Sequence, residues 1–457
     1  MDAIVTPAEM GAIDAAAPEP VEVLVARAGA AVAREALRLL GGGYGKRVVV
    51  VAGKGNNGAD GRAAAQRLAT RGVRCRIVDA AEPPAVLPAA DLIIDAAYGT
   101  GFRGTYVHPM PADASTPVLA VDIPSGVSGL TGEASGTPWS ATRTVTFAAW
   151  KPGLLLADGA ELSGVVALAD IGLAAPDAQA HLVAAAAVVS WLPDRPRTTH
   201  KWKAAVWVVA GSPGMTGAAH LATRAAQRGG AGYVRLSTPD GGEDPGAPTE
   251  AVVTQLPHDG WAGEVVDGAG RFGALAVGPG LGDDAGTAQQ VRRLVSETEL
   301  PVVVDGDGLR ALGADVAEVI GARSPDAAPV VLTPHDGEFE ALTGRPPDAD
   351  RFDAVRRLAA SSGAVVLLKG STTLVARPDG HVWASTTGDA RLATAGSGDV
   401  LTGLVGALLA QGVRPDRAAA AGAYLHGRAG ALAWRRGLVA GDLVHHLPAA
   451  FAELPGG

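Results

Sequence analysis

The stretch Val48-Val49-Val50-Val51-Ala52-Gly53-Lys54-Gly55-Asn56-Asn57-Gly58-Ala59-Asp60-Gly61 decides how this chain folds. An apolar run gives way to a glycine turn and then to a helical pattern from Arg62 to Arg71, which predicts a strand, a tight turn and a helix N-terminus. Glycines let backbone N–H groups approach a phosphate closely, and the helix start adds a positive dipole end. Asn56 and Asn57 are the only asparagines in the chain. With Asp60 they supply side-chain donors and acceptors that a plain turn does not need.

Outward from this loop, short β-branched runs alternate with helical patterns. Strands are predicted at Val48 to Ala52, Arg74 to Val78, Leu92 to Asp95, Val118 to Asp122, Thr144 to Phe147 and Val165 to Leu168. Unbroken apolar runs fit parallel strands covered on both faces, so the first half reads as a Rossmann-like, doubly wound α/β domain. The polar, proline-bearing stretch Pro193 to His200 interrupts the alternation, which predicts domains at 1–192 and 193–457. Beyond it the pattern restarts at Val206 to Ala210, Tyr233 to Leu236, Leu275 to Val277, Val302 to Asp305, Val330 to Leu332 and Val365 to Leu368. Thr373 to Ala376 and His381 to Ala384, across Arg377-Pro378-Asp379-Gly380, predict an antiparallel hairpin. The fold class is α/β in two tandem domains.

A net charge of −9 without a basic cluster argues against nucleic acid or an anionic membrane as partner. Phosphate-bearing ligands must then be held by local dipoles and a few side chains. One cysteine, Cys75, forms no internal disulfide, and no apolar run reaches the ~18 residues of a membrane span. No charged-then-apolar signal segment opens the chain, and a cytoplasmic location is expected.

Asp95 ends one predicted strand and Asp122 the next, the latter opening Ile123-Pro124-Ser125-Gly126. In an open parallel sheet, ligands bind outside the carboxyl ends of the strands. Any one of these aspartates could cap a helix. Together with Asn56, Asn57 and Asp60 they offer oxygens for a hard cation beside loops suited to phosphate. These segments, with Thr146-Phe147 and Lys151-Pro152-Gly153, resemble the NAD(P)H-hydrate epimerase domain from about Thr6 to about residue 190. The resemblance implies a substrate, NADHX or NADPHX, hydrated at C6 of the nicotinamide ring. It implies substrate contacts at Asn56, Asn57, Gly58, Ala59, Asp60 and along Gly99-Thr100-Gly101-Phe102-Arg103-Gly104-Thr105. It further implies K+ at Asn57, Asp95 and Ser125, with Asp122 as the acid/base group. Ala59 stands where that family has glycine, and the segment from Gly101 to Val118 is short and proline-broken, which predicts a truncated helix there.

In the second half, Thr394-Ala395-Gly396-Ser397-Gly398-Asp399-Val400-Leu401 carries a glycine turn into an apolar helix. The N–H groups at such a start form an anion hole, and Asp399 in the first turn can take a proton from a hydroxyl attacking a phosphoryl group. This motif resembles the signature of the ribokinase-like fold. Gly211-Ser212-Pro213-Gly214, Val277-Gly278-Pro279-Gly280-Leu281-Gly282, Asp305-Gly306-Asp307-Gly308, Thr333-Pro334-His335-Asp336-Gly337-Glu338 and Lys369-Gly370-Ser371-Thr372-Thr373 narrow it. Together they resemble the ADP/ATP-dependent NAD(P)H-hydrate dehydratase from about residue 196 onward. The resemblance implies nucleotide contacts at Lys369, Gly370, Ser371, Thr372, Thr373 and Gly398, substrate contacts at Gly280 and His335, and Asp399 as catalytic base. Mg2+ would accompany ADP or ATP, with Glu338, Asp305 and Asp307 as its ligands or water-holders. Lys201-Trp202-Lys203 departs from the pattern, which has glycine after the first lysine, and is expected to affect packing more than chemistry. The combined reading is repair of both epimers by a homo-oligomeric bifunctional enzyme. Two other readings fit parts of the sequence: a vitamin-precursor kinase fused to a nucleotide-sensing domain, and a binding protein whose first domain has lost catalysis.

Overall fold

The computed structural model describes residues 1–456, which form two compact units, Asp2–Ala180 and one from His181 onward. The first unit opens with helices α1 (Pro7–Ala15) and α2 (Val21–Leu40). Thr6 and Glu9 close a reciprocal capping box at the start of α1. In α2, Leu24, Ala28, Ala31, Val32, Ala36 and Leu40 recur at helical spacing and are buried on one face, and Gly41 ends the helix at φ 65°.

Six parallel strands follow: β1 (Arg47–Ala52), β2 (Arg74–Asp79), β3 (Leu92–Ala96), β4 (Val118–Val121), β5 (Arg143–Phe147) and β6 (Val165–Ala169). Helix α3 (Asn56–Ala69) links the first two. The sheet order β2-β1-β3-β4-β5-β6 reverses between β1 and β3. The turn Gly53 to Gly55 leading into the first helical turn at Asn56–Asn57, and Asp95, therefore leave the sheet on either side of a topological switch point, where open α/β sheets bind ligands. Register aligns the exits: Val51 pairs with Asp95, Asp95 with Ala120, and Val121 with Val145. The predicted strands match within a residue or two. Between Gly101 and Val118 no helix forms; Tyr106–Val107 instead pairs with Gly136–Thr137.

The second unit repeats the plan. Its strands are β7 (Ala205–Val209), β8 (Tyr233–Ser237), β9 (Val252–Val253), β10 (Ala274–Val277), β11 (Val302–Val304), β12 (Val330–Leu332), β13 (Val365–Leu368), β14 (Thr373–Ala376) and β15 (Val382–Ser385). They order as β15-β14-β13-β12-β11-β10-β7-β8-β9, parallel except for the predicted β14–β15 hairpin and its pairing to β13. The order reverses between β7 and β10, and the registers Val209–Val277, Val277–Val304 and Val304–Leu332 bring the loops after four strands to one edge. Helices α4 (Thr216–Arg228), α5 (Asp336–Thr343), α6 (Ser397–Ala410) and α7 (Pro415–Leu432) complete the parts used below.

One expectation shifts. The units divide at Ala180/His181 rather than at residue 192, because helix Ala185–Trp191 buries Ala187, Val188 and Trp191 in the core of the second unit. The stretch Pro193–Arg197 is an exposed surface connection within that unit. Trp202 stacks on Tyr233 with ring centroids 4.2 Å apart, so the Lys201-Trp202-Lys203 departure serves packing. No helix among the described residues is long and apolar enough to cross a membrane.

Helix α6 is apolar almost all round and is buried from Val400 to Ala410, the mark of a central helix. Gly403 brings it against α4 so closely that an added Cβ would lie 1.9 Å from the Ala222 carbonyl oxygen. Gly403→Ala is expected to cost about 1–3 kcal/mol by overpacking, read as a lower denaturant midpoint at unchanged slope.

Candidate active sites

In the first unit a cleft of about 670 Å³ opens at the switch point. Met10, Leu24 and Ile171 give it an apolar wall, and Tyr98 and Phe102 stack at 4.2 Å. Asn56, Asn57, Asp60, Gly99, Thr100, Gly101, Phe102, Arg103 and Asp122 line it. Gly58, Ala59, Gly104 and Thr105 do not. Gly58 turns inward, where an added Cβ would meet the Gly53 carbonyl oxygen at 1.9 Å, and the Thr105 methyl packs on Gly136.

Asp95 and Ser125 are fully buried. The Ser125 N–H donates to one Asp95 oxygen at 2.8 Å and the Ser125 hydroxyl to the other at 2.6 Å, while the Tyr98 N–H donates to Ser125 Oγ at 2.9 Å. These donors are neutral, so burial dominates and pushes the Asp95 carboxyl up to about 6. Asn57, also buried, has neither its carboxamide oxygen nor its nitrogen hydrogen-bonded within the protein. An oxygen without a partner and a buried carboxylate without a cation are the donor set a monovalent cation would satisfy.

Asp122 follows β4 with φ 66°, a left-handed conformation that aspartate tolerates better than bulky residues. The sheet register sets it beside Thr146, whose hydroxyl donates to Asp122 Oδ1 at 3.0 Å. Lys151, 1% exposed, donates to the same oxygen at 2.7 Å, to Thr146 Oγ1 at 2.9 Å and to the Phe147 carbonyl at 3.0 Å. All three of its protons are thus committed. In the sequence Lys151 and Thr146 stand out only as parts of a motif, and Asp14 not at all. One signal for Lys151 is its rarity, since the chain has six lysines in all. Another signal is the Thr6–Glu9 capping box, which marks the helix that carries Met10 and Asp14, four residues apart, to the same cleft.

In the second unit, Lys369 is the hub. Its ammonium lies 2.5 Å from Asp305 Oδ1 and 3.6 Å from Glu338 Oε2. The Thr402 hydroxyl donates to the other Asp305 oxygen at 2.6 Å. An added Cβ on Gly398 would meet Lys369 Nζ at 3.2 Å and Asp305 Oδ2 at 3.4 Å, so the glycine turn lies directly on this pair. Gly396, at φ 88°, precedes α6 and places Asp399 in its first turn. Burial, with Asp305 as the next cause, pushes Asp399 up to about 7, although Lys369 opposes the shift.

His335 caps α5: its Nδ1 accepts from the N–H groups of Gly337 at 3.0 Å and Glu338 at 3.2 Å, and its own backbone N–H donates to Glu338 Oε2 at 2.9 Å. A ring with Nδ1 as acceptor carries its proton on Nε2, which lies 3.4 Å from Glu338 Oε1. Gly280 sits in a loop stitched by Ser212 Oγ to its carbonyl at 2.9 Å and by the Gly282 N–H to Asp307 at 2.9 Å. Arg351 grips Asp336 through two bonds and donates to the Lys369 carbonyl at 3.0 Å, fixing the start of the Lys369-to-Thr373 segment. Asp305 is fully engaged by Lys369 and Thr402, and among the described residues no group of three acidic, histidine or cysteine side chains is placed to hold a metal. The expected Asp305, Asp307 and Glu338 set therefore does not fit as a protein-built Mg2+ site.

The sequence model of NAD(P)H-hydrate dehydratase matches residues 206–451, and that of the YjeF-related protein N-terminus matches residues 21–89 and 76–153. The chain is similar to the bifunctional NAD(P)H-hydrate repair enzyme of Moorella thermoacetica, 37% identical over 519 aligned residues that cover 99% of this chain and 97% of the relative. The chain belongs to the bifunctional NAD(P)H-hydrate repair enzyme family. The Mycobacterium leprae member is 40% identical over 442 residues, 90% of each chain. Among solved structures, the Bacillus subtilis ADP/ATP-dependent NAD(P)H-hydrate dehydratase co-crystallised with ATP and Mg2+ is 30% identical at TM-score 0.50, covering 60% of this chain and 98% of that one. A ribokinase-like protein of Enterococcus faecalis, 22% identical at TM-score 0.53, shares the fold.

Within this family site, Lys151 is the side chain whose removal should be felt most in folding. Lys151→Met deletes a buried ammonium and leaves Asp122 with Thr146 alone. Breaking such a pair costs up to about 3–5 kcal/mol. An unfolding midpoint equal to that of the unaltered protein would show that the pair is not held as described.

Proposed function

We propose that the first unit interconverts the R and S forms of NADHX and NADPHX, and that the second dehydrates the S form to NADH or NADPH at the expense of ADP or ATP. Membership of the repair-enzyme family along nearly the whole chain supports this over a kinase fused to a sensing domain. The observation that carries the chemistry is Asp399, a carboxylate of raised proton affinity at the mouth of an anion-binding turn.

In the second unit, Asp399 takes the proton of the C6 hydroxyl as that oxygen attacks the terminal phosphoryl group. As the new P–O bond forms, the bond from phosphorus to the nucleotide's bridging oxygen breaks and AMP or ADP leaves, so that hydroxide, a poor leaving group, becomes phosphate. The ring nitrogen lone pair then expels phosphate with loss of a C5 proton, and the dihydropyridine is restored. Gly398 N–H and the Lys369-to-Thr373 segment bind the nucleotide, while Gly280 and His335 bind the hydrated ring. Mg2+ arrives with the phosphates, as is usual for this ion.

In the first unit, Asp122 is the acid/base group, held by Lys151 and Thr146 at the cleft wall. Asn57, Asp95 and Ser125 would hold K+, whose charge would offset that of buried Asp95. Because an epimerase feeds the stereospecific dehydratase, both forms of the damaged cofactor drain through one chain.

An assay of mixed NADHX epimers with ADP and ATP in parallel tests the reading: recovered NADH absorbance reports dehydration, and loss of the second epimer above its spontaneous rate reports epimerisation. Asp399 must be ionised to act as base, so dehydration should rise with pH through about 7 and then level. Asp399→Asn should bind nucleotide normally, lose that dependence and dehydrate about 10²- to 10⁴-fold more slowly. Near-normal NADH recovery in this variant would remove Asp399 as the base.

For the first unit, epimerisation should respond to K+ over choline. Asp95→Ala should weaken that response most, because it removes the only charged ligand. Asp122→Ala should lower turnover about 10²-fold. Unchanged turnover there would end its assignment.

A further inference from the structure

The cleft of the first unit is lined by four carboxylates; Glu19 is paired with Arg27 at 3.1 Å, and the other three have different surroundings. Asp122 has the Lys151 ammonium and the Thr146 hydroxyl. Asp14, on α1, is exposed. Asp60, on α3, lines the cleft yet is only 8% exposed. Among the described residues no hydrogen-bond donor or cation reaches its side chain. Lys54, Glu19 and Arg103 line the same cleft without pairing to it, and Arg62 on its own helix donates instead to the Gly53 carbonyl. Asn57, one turn earlier, is not bonded to it either, since its carboxamide has no protein partner.

A buried carboxylate that meets no cation but faces two other acids keeps its proton. Burial first, then Asp122 and Asp14, push Asp60 up to about 8. Two carboxyl groups in one cleft are thus set apart, one with an ammonium at its oxygen and one with none. Opposed environments of this kind separate an acid from a base.

Resting on the epimerase reading above, we infer that Asp60 is the second catalytic proton carrier of that site, acting as general acid toward the C6 oxygen while Asp122 acts as general base toward water. In the step this implies, Asp60 gives its proton to the C6 hydroxyl and the C6–O bond breaks to release water. The ring nitrogen lone pair forms a C=N double bond. A second water then adds to the other face of C6, closing a new C–O bond as the nitrogen recovers its pair, and Asp122 takes the proton that this water sheds. One water leaves and one enters, the configuration inverts, and a proton passing from Asp122 to Asp60 resets the site. No oxidant, reductant or nucleotide is consumed.

The test uses the full-length protein with K+ and mixed NADHX epimers but no ADP or ATP, following the epimer ratio by chromatography. Asp60→Asn keeps the size of the side chain and removes its proton. Its kcat should fall about 10²-fold with KM held within about 3-fold. The unaltered protein should lose rate as pH rises through about 8, and the variant should lack that limb. In 18O-water the unaltered protein should place label at C6 with each turnover. Asp60→Glu, which keeps an acid, should recover part of the rate lost in Asp60→Asn. A normal kcat in Asp60→Asn, a loss confined to KM, or equal loss in both variants at an unaltered unfolding midpoint would each overturn the assignment. Unaltered protein that leaves the epimers at their spontaneous rate would overturn the epimerase reading itself, a result distinct from any Asp60 variant.

Discussion

A carboxylate at the carboxyl end of a buried parallel strand must be neutralised, and how each unit does this organises the rest of its site. In the second unit Asp305 is neutralised internally: Lys369 and Thr402 take one oxygen each. The ion pair fixes the Lys369 segment against the glycine turn at Gly398 and leaves the helix start there free for an anion. In the first unit Asp95 also ends a buried parallel strand, the one beside the switch point, and its donors are the neutral Ser125 N–H and hydroxyl. Full burial without a cationic side chain is costly. The same architecture thus neutralises one strand-end carboxylate with a side-chain cation and leaves another with neutral donors alone.

The strand ends were legible in the sequence because parallel strands covered on both faces read as unbroken apolar runs. Val48 to Ala52 and Val302 to Val304 carry that signal directly, and the glycine turns after Ala52 and Ala395 mark where each chain exit meets a helix. The hairpin across Pro378-Asp379-Gly380 was legible from turn chemistry. The division between units was not. A polar, proline-rich stretch marks an exposed connection, yet exposure says nothing about which core a preceding short helix joins. Ala187, Val188 and Trp191 join the second unit's core through tertiary packing that no local period encodes.

Site residues divide in the same way. Asp95, Asp122, Asn57 and Asp399 stood out because strand-end and helix-start positions can be read from neighbouring residues. Lys151 and Asp14 could not be placed by that logic. Lys151 follows Ala148, whose φ of 61° turns the chain back toward Asp122, and a reversal of this kind leaves no compositional trace. The resemblance implies a substrate contact at Gly58, and its missing Cβ also serves the close approach of Gly53. A glycine in such a loop can thus serve the chain's own closure as readily as a ligand.

The two aspartates with the most raised proton affinity in these clefts, Asp60 and Asp399, share a cause and differ in consequence. Burial raises both most strongly, and a neighbouring acid raises each further. Asp399 also feels Lys369, which holds it lower, to about 7 against about 8 for Asp60. Near neutral pH the first is therefore balanced between its forms and suited to accept a proton, while the second is mostly protonated and suited to give one. An ammonium lies beside Asp399, whereas the ammonium of the other cleft is paired elsewhere. Lys151 is that second ammonium, and all three of its protons are spent on Asp122, Thr146 and Phe147, so none reaches Asp60.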